Sequence, residues 1–438
     1  MRKLIGALAA GLMLVATSAA QQPTAPPPPP LPLPRLTIGE AERLAIKNNP
    51  HVTIAHLLAL EEHQVVREAR SAYMPTVTGD MTAVGSHHDS RITAGFINNP
   101  SIYNRAAGGL TVNQLITDFG RTHNLTLSAR SHARAQLESQ IATEQDITLM
   151  VDQAFYQALT AQAVLRVAQQ TVNERLAIEE QVNALAKAKL RSDVDLSFAQ
   201  VQLSQAKLML IDARNQAQDD MAALNDVLGS EKDQQYILVD QTPANPPPPP
   251  QNAAPLVSEA FTARPDLAAL NENFTSDMQY SKAERDLWMP TVSALASVGG
   301  TPVRSDQILS SWYGAVGANI SIPIFNGFLY NARASAARLQ ANATQQQIRS
   351  LRDNIARDVR TAVLDSQNAF DSIGVTQEML SQSNMALDLS KRRYDIGLSS
   401  IVELTEAELA QTQAEIDVVN ARYAYATSLA VLKYQLGQ

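Results

Sequence analysis

The stretches Met74-Pro75-Thr76-Val77 and Met289-Pro290-Thr291-Val292 occur one in each half of the 438-residue sequence, at an offset of 215 residues. In both places a helical pattern ends at the Met-Pro, because proline biases the residue before it toward extended geometry. Apolar and polar residues then alternate, which is the period of a β-strand. The motif therefore predicts a unit that passes from helix to strand and occurs twice in the chain.

The match between the two halves extends well beyond this motif. Pairs at the offset of 215 include Pro50 with Pro265 and Arg70 with Arg285, and pairs at a second offset of 208 include Ala129-Arg130 with Ala337-Arg338, Gln205-Ala206 with Gln413-Ala414, and Leu228-Gly229 with Leu436-Gly437. The offset changes after the first predicted strand, so the first copy is expected to have a longer loop, residues 86–107, than the second, residues 301–311. Insertions of this kind collect in exposed loops.

The N-terminus has the pattern of a secretory signal peptide. Arg2 and Lys3 precede an apolar run at residues 4–15, and Ser18-Ala19-Ala20 supplies the small residues of a cleavage site. The run is shorter than the ~20 residues that a membrane-spanning helix needs. We therefore predict an exported protein.

Five segments follow from the repeat and the composition. They are a signal peptide at 1–20, a Pro-rich N-terminal segment at 21–35, a first repeat at 36–229, a Pro-rich linker at 230–256 and a second repeat at 257–438. The proline tracts at 23–34 and 243–255 are typical of stiff polyproline spacers.

Composition and motifs argue against several classes of protein. The sequence has no cysteine, so it has no disulfide, no thiolate metal site and no lipidated cysteine. Its formal net charge of -8 argues against nucleic acid as a partner. No nucleophile elbow or phosphate loop occurs, and His87-His88-Asp89 lacks the further spaced ligand that a metal site needs. We therefore expect no catalytic activity, no cofactor and no metal.

The predicted strands form two pairs, each with an apolar and a polar face. The apolar faces contain Val77, Gly79, Met81, Ala83, Leu110 and Val112 in the first repeat, and Val292, Ala294, Ala296, Val298, Ala318, Ile320 and Ile322 in the second. This alternation is typical of a membrane β-barrel, although a half-buried soluble hairpin has the same pattern. Four strands cannot close a barrel and open edges are not tolerated in lipid, so we expect several copies to share one wall.

Long helices are predicted between the strands. Residues 120–188 and 327–396 contain no proline, and at about 1.5 Å per residue each run corresponds to a rod of roughly 100 Å. A break at Lys189-Leu190-Arg191 or Gly397-Leu398-Ser399 precedes a second helix of about 36 residues, and a helix of about 30 residues leads into each first strand, at 40–72 and 258–287. The predicted fold class is therefore α+β, mainly α, with antiparallel helix pairs below a barrel.

With these features the chain resembles the TolC-type outer membrane efflux proteins from residue 36 to residue 437. The resemblance rests on Leu36-Thr37, Glu40-Ala41, Asn48-Asn49-Pro50, the paired Met-Pro-Thr-Val motifs, Ile116-Thr117-Asp118-Phe119-Gly120, Pro323-Ile324-Phe325-Asn326-Gly327 and Arg393-Tyr394-Asp395-Ile396-Gly397. It implies a homotrimeric α/β barrel, in which twelve strands form a pore through the outer membrane and twelve helices form a periplasmic tunnel. The implied partners are outer membrane lipid, a periplasmic membrane-fusion adaptor and an inner-membrane pump of the RND or ABC type.

The resemblance also implies roles for residues at the helix tips. Adaptor docking is expected at Ile396, Gly397 and Leu398 and, in the first copy, at Lys189, Leu190 and Arg191. A gate or constriction is expected at Tyr394, Glu403, Glu406 and Asp195, whereas Ser399 stands where the family has an arginine. Glu403 and Glu406 lie three apart on one helical face, so a threefold ring of six carboxylates would favour cations; a solvated acidic face is the alternative.

The function predicted from these features is a passive exit duct of a tripartite export system, for drug efflux or type I protein secretion. The alternative is a structural coiled-coil scaffold or adhesin of the periplasm without a pore, which would share the long rods but would not need two pairs of alternating strands. The sequence identifies neither the exported substrate nor the particular pump.

Overall fold

The computed structural model describes residues 33–85, 87, 104–230, 234–303 and 310–438. In chain order the elements are β1 Arg35–Leu36, α1 Ile38–Asn48, α2 Pro50–Ser71, β2 Thr76–Val84, β3 Arg105–Thr117, α3 Arg121–Lys187, α4 Asp193–Val227, β4 Ile237–Leu238, α5 Ala253–Ala263, α6 Pro265–Arg285, a 3₁₀ turn Asp286–Trp288, β5 Thr291–Val303, β6 Trp312–Ser321, α7 Leu329–Asp395 and α8 Ile401–Gln435. The fold is therefore mainly helical with a small amount of sheet. The predicted signal peptide, most of the first proline tract, and His88 and Asp89 lie outside the described residues.

The two predicted rods are single helices. Both α3 and α7 contain 67 residues, which corresponds to about 100 Å at 1.5 Å per residue. Each is followed by a short turn and a helix of 35 residues, α4 or α8. The lengths expected from the proline-free runs are confirmed.

The prediction of one helix before each first strand was wrong. Each of these segments is divided into two helices, α1 and α2 in the first repeat and α5 and α6 in the second, with the division at Asn49-Pro50 and Arg264-Pro265. The residues before the prolines are extended, with ψ of 126° at Asn49 and 121° at Arg264. Proline is tolerated only in the first turn of a helix, so each proline begins a new helix and changes its direction.

The four long strands form one antiparallel sheet in the order β2-β3-β5-β6. Its register places Val77 opposite Val112, Leu110 opposite Val298, and Ala296 opposite Val316. Residues opposite one another point to the same face, so the apolar residues predicted for each strand form one continuous face. The sequence did not predict the pairing of β3 with β5, which joins the two repeats.

Apart from α1 and α5, which pack on one face, the helices lie side by side below the sheet as a single layer. Near the sheet, α3 packs between α2 and α6; farther away it packs between α4 and α8, and α7 packs on α6 and α8. The outer members of the layer are β2, α2 and α4 on one edge and β6 and α7 on the other. Among the described helices, none is long and apolar enough to cross a membrane.

The proline tract at 243–255 is packed rather than free. The Tyr425 hydroxyl donates to the Pro247 carbonyl at 2.6 Å, and the Gln367 amide donates to the Pro250 carbonyl at 2.9 Å. The end of the tract lies inside α5, which begins at Ala253. Just before it, β4 pairs in parallel with β1, a contact absent from the sequence prediction. The linker is therefore packed along the rods, because two of its carbonyls accept hydrogen bonds from α7 and α8.

Candidate functional site

The tips of the two helix pairs are equivalent turns. In the first, the N–H groups of Lys189 and Leu190 donate to the carbonyls of Ala186 and Leu185, and in the second those of Gly397 and Leu398 donate to Tyr394 and Arg393, all at 2.8 to 2.9 Å. This is the hydrogen-bonding pattern of a Schellman motif, which needs one residue in the left-handed region. Gly397 fills that position with φ of 78°, whereas the first tip places Lys189 there with φ of 59°.

Both tips present apolar side chains to solvent. Leu190 is 71% exposed, Ile396 70% and Leu398 69%. Several exposed apolar side chains on one surface are typical of a contact site. The six residues predicted to dock an adaptor therefore lie at the ends of the layer, on two turns of the same shape.

Arg191 of the first tip contacts Tyr394 of the second. Its guanidinium lies 4.1 Å from the centroid of the Tyr394 ring and also donates to the Tyr394 carbonyl. A cation over an aromatic face and a charge-assisted hydrogen bond are both stabilising. Arg191 was predicted only as a docking residue, and its contact with Tyr394 was not predicted.

Tyr394 is the buried centre of the tip. It is 3% exposed and packs with Val182 of α3, Ala199 of α4, and Ile401 and Leu404 of α8, so the cluster joins α7 to the other three long helices. Burial raises the pKa of the Tyr394 hydroxyl, so it stays neutral, while the Arg191 charge opposes that shift. The ring thereby joins the first helix pair to the second.

The predicted carboxylates fall into two kinds. Asp195 and Glu403 occupy matching positions, the third residues of α4 and α8, and their N–H groups donate to the hydroxyl oxygens of the capping residues Ser192 and Ser400 at 3.1 and 3.3 Å. Glu403 also lies 3.6 Å from Arg393. Glu406 is exposed, one helical turn farther on. The structure therefore brings Glu403, Glu406 and Asp195 to the same end as Tyr394, and the Asp195 carboxylate also accepts from the Ser192 N–H at 3.3 Å in a capping box of α4.

A buried ion pair that was not predicted from the sequence lies one helical repeat from the tip. Arg175 of α3 and Glu408 of α8 form a salt bridge, and their side chains are only 6% and 10% exposed. Each lies seven residues from a buried apolar residue of the tip, Val182 or Ile401, which is the spacing of one helical seam. The sequence could have predicted this ion pair from two charged residues of opposite sign that lie on the apolar seams of helices in different repeats.

Metal ligands do not cluster in the described part of the chain: no group of three or more His, Cys, Asp or Glu side chains there could hold a metal ion. Of the His87-His88-Asp89 triplet, only His87 is described.

The fold and tips define a class of protein: duplicated helical layers that carry a four-stranded sheet at one end and apolar turns at the other. The profile of the family "Outer membrane efflux protein" matches residues 43–230 and 256–438, so the chain belongs to this family. Membership places the protein in the outer membrane, in an efflux system.

Individual relatives are similar over nearly the whole chain. The outer membrane protein TolC of Salmonella enteritidis is 22% identical, covering 92% of this chain and 83% of the relative. The outer membrane efflux protein BepC of Brucella suis is 24% identical, covering 87% and 82%. Among solved structures, the Campylobacter jejuni CmeC outer membrane channel has a TM-score of 0.77 at 17% identity and covers 91% of this chain and 85% of that one, which shows a common fold.

Proposed function

We propose that the chain forms the exit channel of a tripartite export system as a homotrimer that spans the outer membrane and the periplasm. The observation that carries this proposal is the open layer: one chain has two free edges, and both edges carry exposed apolar residues. On α4 these are Val194, Phe198, Val201, Leu208 and Ile211, and on α7 they are Leu339, Leu364, Val375 and Leu389. Two different edges that pair head to tail produce a ring when the rotation closes.

Three copies would form a closed wall. Each chain contributes the four strands of its larger sheet and four side-by-side columns of helix, so a trimer contains twelve of each. Pairing β6 of one copy with β2 of the next would satisfy the unpaired backbone groups of both strands, as lipid requires. The continuous apolar face of the sheet would then contact lipid, and the polar face would line the pore.

The tips suit the docking of an adaptor from the periplasm. Leu190, Ile396 and Leu398 are exposed on equivalent turns, so a trimer would offer six similar knobs to a periplasmic adaptor, which would in turn bind an RND or ABC pump. The channel itself would be a passive conduit. Deleting the gene and comparing drug susceptibility with the secreted proteome would separate drug efflux from type I secretion.

The contact between Arg191 and Tyr394 is proposed to hold the tip closed. It joins the turn of the first helix pair to the end of the second, so an opening that separates the pairs must break it. Glu403 and Glu406 of three chains would surround the opening with six carboxylates and favour cations.

Planar-bilayer recordings test the channel and its gate together. We expect Arg191→Ala to raise the resting conductance several-fold, because the cation–π contact and a charge-assisted hydrogen bond are lost. Lys189→Ala, which removes the same charge two residues away, should conduct like the wild type. Absence of pore activity in both the wild type and Arg191→Ala would refute the exit channel, and equal conductance of the two would refute only the gate.

The carboxylate ring has a separate measurement. Glu403→Gln combined with Glu406→Gln should lower the ratio of cation to anion permeability in single-channel records. If the reversal potential in a salt gradient stays at the wild-type value, the two glutamates belong to a solvated face and not to the constriction.

A further inference from the structure

Two grooves just below the sheet are lined by basic side chains. One lies between α2 and α3 with a volume of about 650 Å³, and the other lies between α6 and α7 with about 620 Å³. The basic residues are Arg67, Arg70, Arg130 and Arg134 in the first groove and Lys282, Arg285 and Arg338 in the second. Among the described residues that line them, none is acidic, although the chain as a whole has a net charge of -8.

The grooves are equivalent positions of the two repeats. Arg67 matches Lys282, Arg70 matches Arg285 and Arg130 matches Arg338 at the offsets of 215 and 208 that relate the halves. Other positions differ, since His63 and Arg134 of the first groove fall on Met278 and Asn342 of the second. Positive charge is therefore what the two grooves share.

Most of this charge is not neutralised by the protein. Over the described ranges, no carboxylate forms an ion pair with Arg70, Arg130 or Arg338. These three side chains are exposed. By contrast, Arg134 is paired with Glu272 at 2.8 Å, so it adds less to the potential of its groove. The unpaired arginines leave room for an anion.

The directions of the helices bring the charges together. The chain runs toward the sheet in α2 and α6 and away from it in α3 and α7. Because Cα–Cβ bonds tilt toward the N-terminus of a helix, Arg130 tilts toward the sheet and Arg70 tilts away from it. Arginines from the two walls of a groove therefore converge, which suits a phosphate that accepts from several guanidinium N–H groups.

Both grooves open on the face of the layer that carries α1 and α5. Arg130 lies on the seven-residue row that continues to Val151 and Ala158, which pack in one cluster with Ala41 and Ala45 of α1. In the second repeat, the row of Arg338 leads likewise to Val359, which packs with Val257 and Ala260 of α5. The other face of the layer holds a groove of about 730 Å³ lined by α3, α4, α7 and α8, which is the side that a ring would enclose.

Exposed aromatic residues indicate where the grooves lie relative to the membrane surface. They lie where strands meet helices and include Tyr73 at 44% exposure, Phe119 at 57%, Trp288 at 36%, Phe325 at 75% and Phe328 at 69%. Aromatic side chains are enriched at the headgroup level of membranes. Arg130 and Arg338 are each nine residues into their rods, or about 14 Å along the axis, with side chains tilted back toward this belt.

We propose that each groove binds the phosphate of an anionic glycerophospholipid in the periplasmic leaflet of the outer membrane. The inference rests on the proposed trimeric channel, which places the grooves on the lipid-facing side and gives six sites per assembly. Bound lipid would connect α2 to α3 and α6 to α7 just below the pore.

Native mass spectrometry of the delipidated, detergent-solubilised full-length assembly tests this proposal. Phosphatidylglycerol is titrated against phosphatidylcholine, which has the same phosphate but no net charge. We expect phosphatidylglycerol to bind with up to six per trimer, and Arg70→Gln with Arg130→Gln to remove half of these sites. Adding Arg285→Gln and Arg338→Gln should lower the apparent affinity at least tenfold. The matched control is Arg349→Gln with Arg360→Gln, two exposed arginines farther down α7, which should bind as the wild type does.

Several results would overturn the proposal. These are equal binding of phosphatidylcholine, wild-type binding by the fourfold variant, and displacement of the lipid by inorganic phosphate at the same concentration, which would indicate a soluble ligand. If the fourfold variant fails to assemble on a gel, the two double variants carry the test, since each should lose half of the sites. Bilayer conductance separates the two hypotheses: no conductance in either the wild type or Arg191→Ala refutes the channel, whereas a conducting protein whose lipid binding is unchanged in the fourfold variant refutes only the lipid sites.

Discussion

Each repeat has the same left-handed turn at two places, the exposed tip and the packed end of its last helix. Only the packed end has glycine in both repeats. Where α4 and α8 end, Gly229 and Gly437 have φ of 67° and 78° and lie against the backbone of the junction between the preceding short helices. At the tips, where the turn projects freely, the second copy has Gly397 and the first has Lys189. A Cβ at Gly397 would meet nothing within 4 Å, but one at Gly229 or Gly437 would lie 2.8 Å from backbone atoms. Close backbone packing, more than the turn itself, therefore decides where glycine is needed.

The largest effect is expected at the packed junctions. Gly229→Ala and Gly437→Ala should each lower the free energy of unfolding by about 3 kcal/mol, because the left-handed backbone is strained and the new Cβ meets backbone atoms that cannot move aside. Gly374→Ala in the middle of α7, with nothing within 4 Å, should instead be neutral or stabilising by about 0.5 kcal/mol. Urea unfolding of the solubilised protein measures the stability of all three variants. A loss of stability at only one of the two junctions would show that the junctions of the two repeats are not equivalent.

A smaller effect on stability is expected at a position where α3 and α7 carry different residues. Asp152 of α3 is buried and matches the exposed Arg360 of α7. The pKa of Asp152 is raised to about 7, mainly by burial and in addition by Glu42 of α1, while Lys433 of α8 opposes the shift. The pKa is therefore higher in the folded chain than in the unfolded one. Folding takes up a proton between about pH 4 and pH 7, and stability falls as the pH rises through this window.

Replacing this carboxyl tests the sign of that dependence. Asp152→Asn should be more stable than the wild type by about 2 kcal/mol at pH 8, with a smaller difference at pH 5. Asp353→Asn, an exposed position on α7, is the control and should follow the wild type at both values. A difference that grows toward acid pH would mean that Asp152 is stabilised as a carboxylate.

The smallest effect is expected at the tips. Lys189→Gly should raise the free energy of unfolding by about 0.5 kcal/mol, because relief of the left-handed strain exceeds the added flexibility of the unfolded chain. Gly397→Lys should lower it by a similar amount. Thermal unfolding curves would check the pair, and opposite signs for the two exchanges would show that the turns are equivalent in geometry.

Much of the fold could be predicted because its signals are local and long. A proline-free run of almost seventy residues and a strict two-residue alternation each specify one element without reference to the rest of the chain. The division at Asn49-Pro50 was also visible in the sequence, since proline starts helices more readily than it continues them, but the helical pattern on both sides concealed it.

The site was only partly predictable. The tip residues were located by the repeat and by family resemblance, yet the contact of Arg191 with Tyr394 joins residues 203 apart, and no local pattern reports such a distance. The ion pair of Arg175 with Glu408 was not predicted either, because each charge taken alone is compatible with a solvated helix face.

By itself the sequence determined the duplication, the lengths of the two rods and the two-faced strands, because each is visible in the order of residues along the chain. Only the tertiary structure decided that β3 pairs with β5, that the proline tract packs on the rods, that Arg191 covers the Tyr394 ring, and that basic residues of two helices converge below the sheet. These features arise where segments far apart in the chain meet, and their free energies depend on burial and distance that a linear pattern does not contain.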